Sequence, residues 1–283
     1  MQKWKRSARL VDMTQQLLGK PHQLIPLNAF AERYQAAKSS ISEDLAIIHE
    51  VFREEGSGLL ETVSGAAGGV RYIPMASREG AEELARDLCR ELENPDRILP
   101  GGYLYLSDLL GNTRLVREIG RVWASVFHNR RPDAVVTVET KGIPLAYSTA
   151  SFLGVPVAII RQDSRITEGS VVTINTVSGS SKRLGSLSLS RRSLSEGSRV
   201  LVVDDFMKAG GTVQGIVELM REFHAEVIGV GIMAETQVNE RLVEDYASLA
   251  TLTDVDVKSR TIVVEPGSLF RQGGFLYGTD SDG

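Results

Sequence analysis

One cysteine, Cys89, occurs in 283 residues, and aromatic residues make up only 6% of the chain. A lone thiol forms no intrachain disulfide and no thiolate metal cluster, so the fold is expected to rest on its apolar core in a reducing compartment. Cys89 itself reads as a small buried residue. Long apolar runs are missing too. No stretch reaches the roughly 18 apolar residues of a membrane helix, and no apolar segment follows the basic N-terminal residues as in a secretory leader. The expectation is a cytoplasmic protein with no membrane partner. Histidine is scarce, and His22, His49, His128 and His224 do not have the HExxH spacing of a helical zinc site. Neither a Walker lysine pattern nor a GxGxxG run is present.

The formal net charge of −4 gives no global sign of nucleic-acid binding, but it hides a local asymmetry. Lys3, Lys5, Arg6 and Arg9 all precede the first acid, Asp12. Such an arm can neutralise phosphates even on an acidic protein. Directly after it, Leu10, Met13, Leu17 and Leu18 share a helical face that Gly19-Lys20-Pro21 terminates. A short amphipathic segment carries Leu27, Phe30, Ala31 and Tyr34. A third helix is expected to start at a capping-box pair, Ser40 and Glu43, and to bury Ile41, Leu45, Ile48 and Phe52 before Gly56. Its first turn, Lys38-Ser39-Ser40 with Ser42, offers short polar groups and one cation to a major-groove floor or to flanking phosphates.

Two strand-like runs, Leu59 to Val63 and Val70 to Ile73, flank Ser64-Gly65-Ala66-Ala67-Gly68-Gly69, and Pro74 closes the segment. Helix, helix, helix, hairpin is the order of a winged helix-turn-helix. A small three-helix packing module has the same pattern, and the basic arm favours DNA. The assigned contacts are Lys5, Arg6 and Arg9 to phosphates, Lys38, Ser39, Ser40 and Ser42 to bases or nearby backbone, and Arg71 from the hairpin. The expected partner is double-stranded operator DNA, bound by a domain spanning residues 1–74.

From residue 75 to 283 the pattern changes. A charged amphipathic helix from Glu79 to Leu92 ends at Asn94-Pro95, and helical spacing resumes at Leu115, Ile119, Val122 and Val126. Apolar strands then alternate with helices: Ala134 to Val138, a helix through Phe152, Val155 to Ile160, Val200 to Val203, a helix from Thr212 to Phe223, and Val227 to Met233. This alternation predicts an α/β domain with a parallel sheet and ligands at the strands' carboxyl ends.

The most informative run is Val200-Leu201-Val202-Val203-Asp204-Asp205-Phe206-Met207-Lys208-Ala209-Gly210-Gly211-Thr212. A continuously apolar strand covered on both faces delivers two carboxylates to its carboxyl end. Gly210 and Gly211 let backbone N–H groups turn toward an anion where a helix begins. Asp204 and Asp205 accept hydrogen bonds and suit vicinal hydroxyls, so the run as a whole fits a phosphorylated sugar. Phe206 reads either as a face for stacking a base or as a core filler. A second loop, Glu139-Thr140-Lys141-Gly142, sets a hydroxyl, an ammonium and a glycine before Ile143-Pro144 and a helix, which makes another anion site. The stretch from Ser164 to Ser195, with Lys182, Arg183, Arg191 and Arg192, reads as a mobile arm over the site or as an exposed β-hairpin.

The acid-glycine run resembles the 5-phosphoribosyl 1-pyrophosphate (PRPP) motif of type I phosphoribosyltransferases, and the order of elements from Asp133 to Ala225 is similar to adenine- and xanthine-type enzymes. With Arg6-Ser7-Ala8-Arg9-Leu10-Val11-Asp12, Ala37-Lys38-Ser39-Ser40-Ile41-Ser42-Glu43-Asp44-Leu45 and Gly65-Ala66-Ala67-Gly68-Gly69, the chain resembles the purine operon repressor family of Gram-positive bacteria over nearly its whole length. That resemblance implies a winged-helix domain joined to a phosphoribosyltransferase-like effector domain, a homodimer, PRPP as the inducer that releases DNA, and guanosine tetraphosphate as a competing effector. It also implies that the Thr140-Lys141-Gly142 loop holds pyrophosphate. The effector contacts are Asp204 through Thr212, Thr140, Lys141, Gly142, Tyr103 and Arg161. Mg²⁺ is expected only in company with PRPP.

Lys208 departs from the catalytic pattern, in which hypoxanthine-type relatives carry a carboxylate and adenine-type relatives a small residue. A charged ammonium is a poor general base, and the tail around Gln272-Gly273-Gly274-Phe275 shows no base-reading lid. The expectation is a regulator without catalysis. An active purine phosphoribosyltransferase and an RNA-binding attenuation protein on the same effector fold are the alternatives, separable by nucleotide formation and by binding of leader RNA.

Overall fold

The structure is a computed structural model that describes residues 4–65, 68–162, 169–177 and 184–271. Its chain divides into two compact units, the first of Met1–Ser77 with Phe152–Gly154 and the second of Arg78–Ser151 with Val155–Gly283.

In the first unit, α1 spans Arg6–Leu18, α2 Leu27–Tyr34 and α3 Lys38–Glu54, and β1 Ile25–Pro26, β2 Gly58–Val63 and β3 Gly69–Pro74 form an antiparallel sheet in the order β1-β3-β2. The three apolar helical faces meet in one core of Met13, Leu17, Phe30, Tyr34, Ile41, Leu45, Ile48 and Phe52, closed by Ile25, Leu60, Val70 and Tyr72. Between α2 and α3 the chain turns through Gln35, whose φ of 50° is the left-handed value that ends a helix. The result is a helix-turn-helix with a two-stranded wing. Strand β1, too short for any periodicity, is legible only through its pairing of Ile25 with Val70.

The capping-box expectation fails. Helix α3 begins at Lys38, with Ala37 as N-cap and no side-chain cap bond, so Ser40 already lies inside the first turn. Ser42 turns its hydroxyl back to the Lys38 carbonyl at 3.0 Å.

The second unit opens with α4, Arg78–Leu92, followed by β4 Ile98–Leu99, β5 Tyr103–Leu104, α5 Ser107–Gly111 and α6 Thr113–Phe127. The α/β part runs β6 Ala134–Val138, α7 Ile143–Leu153, β7 Val157–Ile160, the hairpin β8 Val171–Val177 and β9 Leu184–Ser190, β10 Arg199–Met207, α8 Gly211–Glu222, β11 Glu226–Thr236, β12 Ala247–Asp256 and β13 Thr261–Pro266. Six strands pair in the order β13-β12-β11-β10-β6-β7, all parallel except the β12–β13 pair. Strands β6 and β10 are apolar and buried on both faces, as a parallel sheet sandwiched between helices demands. Helix α8 packs its Val213, Ile216, Leu219 and Met220 into the same core as Val200, Val202, Val230 and Ile232.

The Ser164 to Ser195 stretch contains an antiparallel hairpin, tied to β7 by a bridge from Arg161 to Ser188. Lys182 and Arg183 lie outside the described residues, as do Lys3, Ala66, Ala67 and the tail from Gln272. Strands β12 and β13, beyond the last apolar run that the sequence pattern marks, extend the sheet by two. Among the described residues no helix is long and apolar enough to cross a membrane.

Candidate functional site

Chain order and sheet order define the crevice. From β6 the chain moves outward to β7 on one side, whereas β10 lies on the other side of β6 and leads on to β11. The loops leaving β6 and β10 therefore diverge at a topological switch point, where α/β sheets place ligands. These are the Glu139–Gly142 and Lys208–Gly211 loops.

The first loop packs without slack against the strands. A β-carbon on Gly142 would stand 2.6 Å from Asp204 Oδ1 and 2.2 Å from Thr137 Oγ1, so only glycine brings this backbone against the acid. The Glu139–Thr140 peptide is cis. Lys141 is exposed, and its charge acts on Asp205. The Asp205 N–H donates to Asp204 Oδ1 at 2.9 Å, which ties the pair to the strand end. Burial first, then the neighbouring Asp205 charge, raises Asp204 well above the ordinary carboxylate range. Burial also raises Asp205, against the opposing effects of its hydrogen bond with Asp204 and of Lys141. Two desolvated acceptors side by side await donors, and hydroxyl groups supply them.

Beyond the acids, Lys208 and Thr212 are exposed, Phe206 and Ala209 are half-buried, and Gly210 takes φ 94° to start α8. Helix α8 has no side-chain cap at its N-terminus, where the first N–H groups of a helix lack partners within it, a setting that favours phosphate. Met207 is a correction: it is 3% exposed within the sheet–α8 core, where its sulfur packs behind Gly210, 3.6 Å from where a β-carbon would stand. Tyr103 reaches the site from β5, with Lys208 Nζ 5.0 Å from its ring centre. Arg161 donates to Glu139 at 2.8 Å, and the Gln162 N–H binds the other oxygen of the same carboxylate at 2.9 Å. Arg161 thus braces the Thr140 loop.

In the first unit Lys5, Lys38, Ser39 and Ser42 are exposed and Ser40 is half-buried. Arg71 pairs across the wing with Glu61 at 3.2 Å. Arg6 remains half-exposed, yet its Nε donates to Asp44 at 2.9 Å. Arg9 is the second correction. Its side chain is only 11% exposed, and it binds the fully buried Asp44 at 2.7 Å through one nitrogen and 2.9 Å through another. A guanidinium held by a buried carboxylate is an internal brace between α1 and α3, not a solvated phosphate contact. Trp4 was not anticipated. It packs edge-on to Tyr34 at 5.4 Å, with the Arg33 guanidinium 5.9 Å from its ring, and so anchors the arm beside Lys5. Arg33 in turn binds Asp12, whose pKa falls to about 2 chiefly through that bond. Nothing in the sequence pattern distinguished these acids from their neighbours.

A helix-turn-helix with a wing, carried on the same chain as a parallel sheet with an acid pair and two anion loops, defines a winged-helix module fused to a phosphoribosyltransferase-type domain. Residues 5–74 match the model of the bacterial purine repressor N-terminal domain, and residues 106–270 match that of the phosphoribosyl transferase domain. The purine biosynthesis transcriptional repressor PurR of Bacillus subtilis (strain 168) is 54% identical over 270 residues, 95% of this chain and 95% of the relative. The purine biosynthesis transcriptional activator PurR of Lactococcus lactis subsp. lactis (strain IL1403) is 45% identical over 267 residues, 94% of this chain and 98% of the relative. The crystal structure of adenine phosphoribosyltransferase from Thermoanaerobacter pseudethanolicus aligns with a TM-score of 0.51 at 21% identity, over 59% of this chain and 98% of that one, and so shares the fold of the second unit. The chain belongs to the bacterial purine repressor family, transcriptional regulators of purine biosynthesis that carry a phosphoribosyltransferase domain.

Proposed function

We propose that this protein is a DNA-binding repressor of purine biosynthesis genes that senses PRPP and leaves its operator when PRPP binds. The observation that carries the reading is the packing of Gly142 against Asp204, which sets the proposed pyrophosphate loop beside the carboxylates of the strand that leads into the proposed 5′-phosphate turn. Asp204 and Asp205 accept the ribose hydroxyls, the backbone from Lys208 to Gly211 holds the 5′-phosphate, and Thr140, Lys141 and Gly142 hold the pyrophosphate. Guanosine tetraphosphate, with its phosphates on a ribose, competes for the same groups. Among the described residues no cluster of three acids, histidines or cysteines could hold a metal, so Mg²⁺ would arrive on the oxygens of PRPP with a carboxylate as additional ligand.

Lys208, charged and turned toward Tyr103, supports binding without catalysis: it has no lone pair to take a proton from a purine. Lys5, Lys38, Ser39 and Ser42 form the DNA-directed surface, presented twice by a homodimer so that each recognition helix meets one half-site. The protein acts in the cytoplasm.

The testing experiment is an operator titration with and without PRPP. A hundredfold loss of operator affinity corresponds to about 2.7 kcal/mol of coupling, and linkage requires operator to weaken PRPP by the same factor. Equal PRPP affinities for free protein and saturated operator complex would defeat the inducer reading. Tighter operator binding with PRPP would likewise overturn PRPP as the agent of release. Gly142→Ala should weaken PRPP about tenfold, because a carbon inserted between Thr137 and the Asp204 carboxylate displaces the Lys141 loop and the acid. Unchanged calorimetric affinity in that variant would remove the Lys141 loop from the site.

A further inference from the structure

The anion cradle has a back as well as a front. Its peptide planes can turn their N–H groups toward a phosphate only if their carbonyls turn outward and are satisfied there. Arg241, in the segment between β11 and β12, donates to the Lys208 carbonyl at 2.6 Å and to the Thr236 carbonyl at 2.8 Å. The Leu242 N–H donates to the Ala209 carbonyl at 2.8 Å. Val243 lies behind Gly210, 3.1 Å from where a β-carbon would stand.

Arg241 is itself held in place. It pairs at 2.7 Å with Glu235, which is 1% exposed and also accepts from the hydroxyls of Tyr246 at 2.6 Å, Ser248 at 2.7 Å and Thr251 at 3.0 Å. The Arg241 guanidinium also lies 5.1 Å from the centre of the Tyr246 ring. A buried carboxylate so fully partnered is a rigid anchor, and a planar guanidinium fixed on it loses little freedom in reaching two carbonyls. Among the described residues no hydrogen bond joins this network to Asp204 or Asp205; its contacts to the turn are the Lys208 and Ala209 carbonyls and the packing of Val243 on Gly210.

We infer that Arg241, anchored by Glu235, is the positioning residue of the phosphate cradle: it ties the Lys208 carbonyl to the end of β11, beside the Leu242 N–H that holds the Ala209 carbonyl, so that the N–H groups of the turn stand ready for an anion. It touches no ligand. The inference rests on the phosphate-binding reading of that turn, and it assigns affinity for the 5′-phosphate partly to a segment outside the motif.

Calorimetry with PRPP on the full-length wild type, Arg241→Ala, Arg241→Lys and Glu235→Gln tests it, with thermal unfolding and operator affinity measured on the same samples. Arg241→Ala should weaken PRPP roughly 10–100-fold, the range for losing charge-assisted hydrogen bonds, with operator affinity unchanged. Arg241→Lys should recover only part, since one ammonium cannot span both carbonyls and the carboxylate as the guanidinium does. Glu235→Gln should resemble Arg241→Ala.

The decisive readout is chemical rescue. A cleft of about 430 Å³ lined by Gln237, Arg241, Tyr246, Thr251 and Arg271 opens beside the network and admits a small cation. Guanidinium ion at millimolar, non-denaturing concentration should therefore restore PRPP affinity to Arg241→Ala, whereas sodium at equal ionic strength should not. A merely structural arginine would show a lower unfolding temperature without ligand-specific rescue. PRPP affinity within twofold of wild type in Arg241→Ala overturns the inference, and so does loss of PRPP affinity without rescue. Absence of PRPP binding to the wild type would instead overturn the underlying functional reading, so the two failures are distinct.

Discussion

Asp44→Ala is expected to destabilise the first unit by about 3–5 kcal/mol, the usual cost of leaving a buried partner charge uncompensated. Asp44 accepts from both Arg9 and Arg6, and of these only Arg6 has solvent to fall back on. A unit of this size has about 5–15 kcal/mol of stability in total, so the loss is a large share of it and operator binding should go with it. The double variant Arg9→Met with Asp44→Leu separates the brace from a DNA contact. An apolar pair of similar volume often matches or exceeds a buried ion pair, so this variant should recover most of the stability. If Arg9 only braces α1 against α3, operator affinity should return with it, apart from what the freed Arg6 contributes. Thermal unfolding of the full chain, followed by circular dichroism, gives the stability. A fall below about 1 kcal/mol for Asp44→Ala would show that the guanidinium of Arg9 escapes to water and that the brace is dispensable.

The second large effect concerns the acid pair, where stability and function should move in opposite directions. Asp204→Asn is expected to stabilise the ligand-free protein and to weaken PRPP by roughly 10–150-fold, the equivalent of charge-assisted hydrogen bonds of about 1.5–3 kcal/mol. The folded protein holds the Asp204 proton more tightly than the unfolded chain does, because burial and Asp205 raise its pKa. Stability from this group is therefore greatest below the ordinary aspartate value of 3.8 and declines as pH rises through the raised folded value. Above the ordinary aspartate value the buried carboxyl is a standing cost, and asparagine removes it. The wild type should accordingly lose stability as pH rises above 3.8 by a component that Asp204→Asn lacks. Asp205→Asn should show the same loss of PRPP with a smaller gain in stability. Full PRPP affinity in both variants would remove the carboxylates from the site, whatever their effect on the melting curve.

Elements with strong periodicity were legible in the sequence for a plain reason: α1, α3, α6 and α8 each carry an apolar stripe that must be buried, and β6 and β10 are too uniformly apolar to lie anywhere but inside a sheet. The crevice motif was legible because glycines and acids at a strand end have few other uses in that combination. The capping box was misread because its chemistry concerns where a helix starts, and α3 gains enough from Ile41, Leu45, Ile48 and Phe52 to begin at Lys38 without it. The clamp behind the cradle was invisible, since Glu235 and Arg241 belong to no spacing rule and become partners only when β11 and the segment after it pack beside the Lys208 turn.

What the sequence determined by itself was the inventory: a helix-rich module with a basic arm and a wing, an α/β module, two glycine-bearing loops and a pair of carboxylates at a strand end. Local patterns suffice for these because period, glycine placement and side-chain charge act over a few neighbouring residues. Tertiary structure decided which charges do what. Arg9 and Lys5 are both cations in one arm, yet burial beside Asp44 makes the first a structural brace while exposure leaves the second open to phosphate. Met207 and Phe206 are adjacent in one strand, yet the pleat sends only one of them into the core. Burial, and the partner met there, depends on residues far away in the chain, so no reading of neighbours could have assigned it.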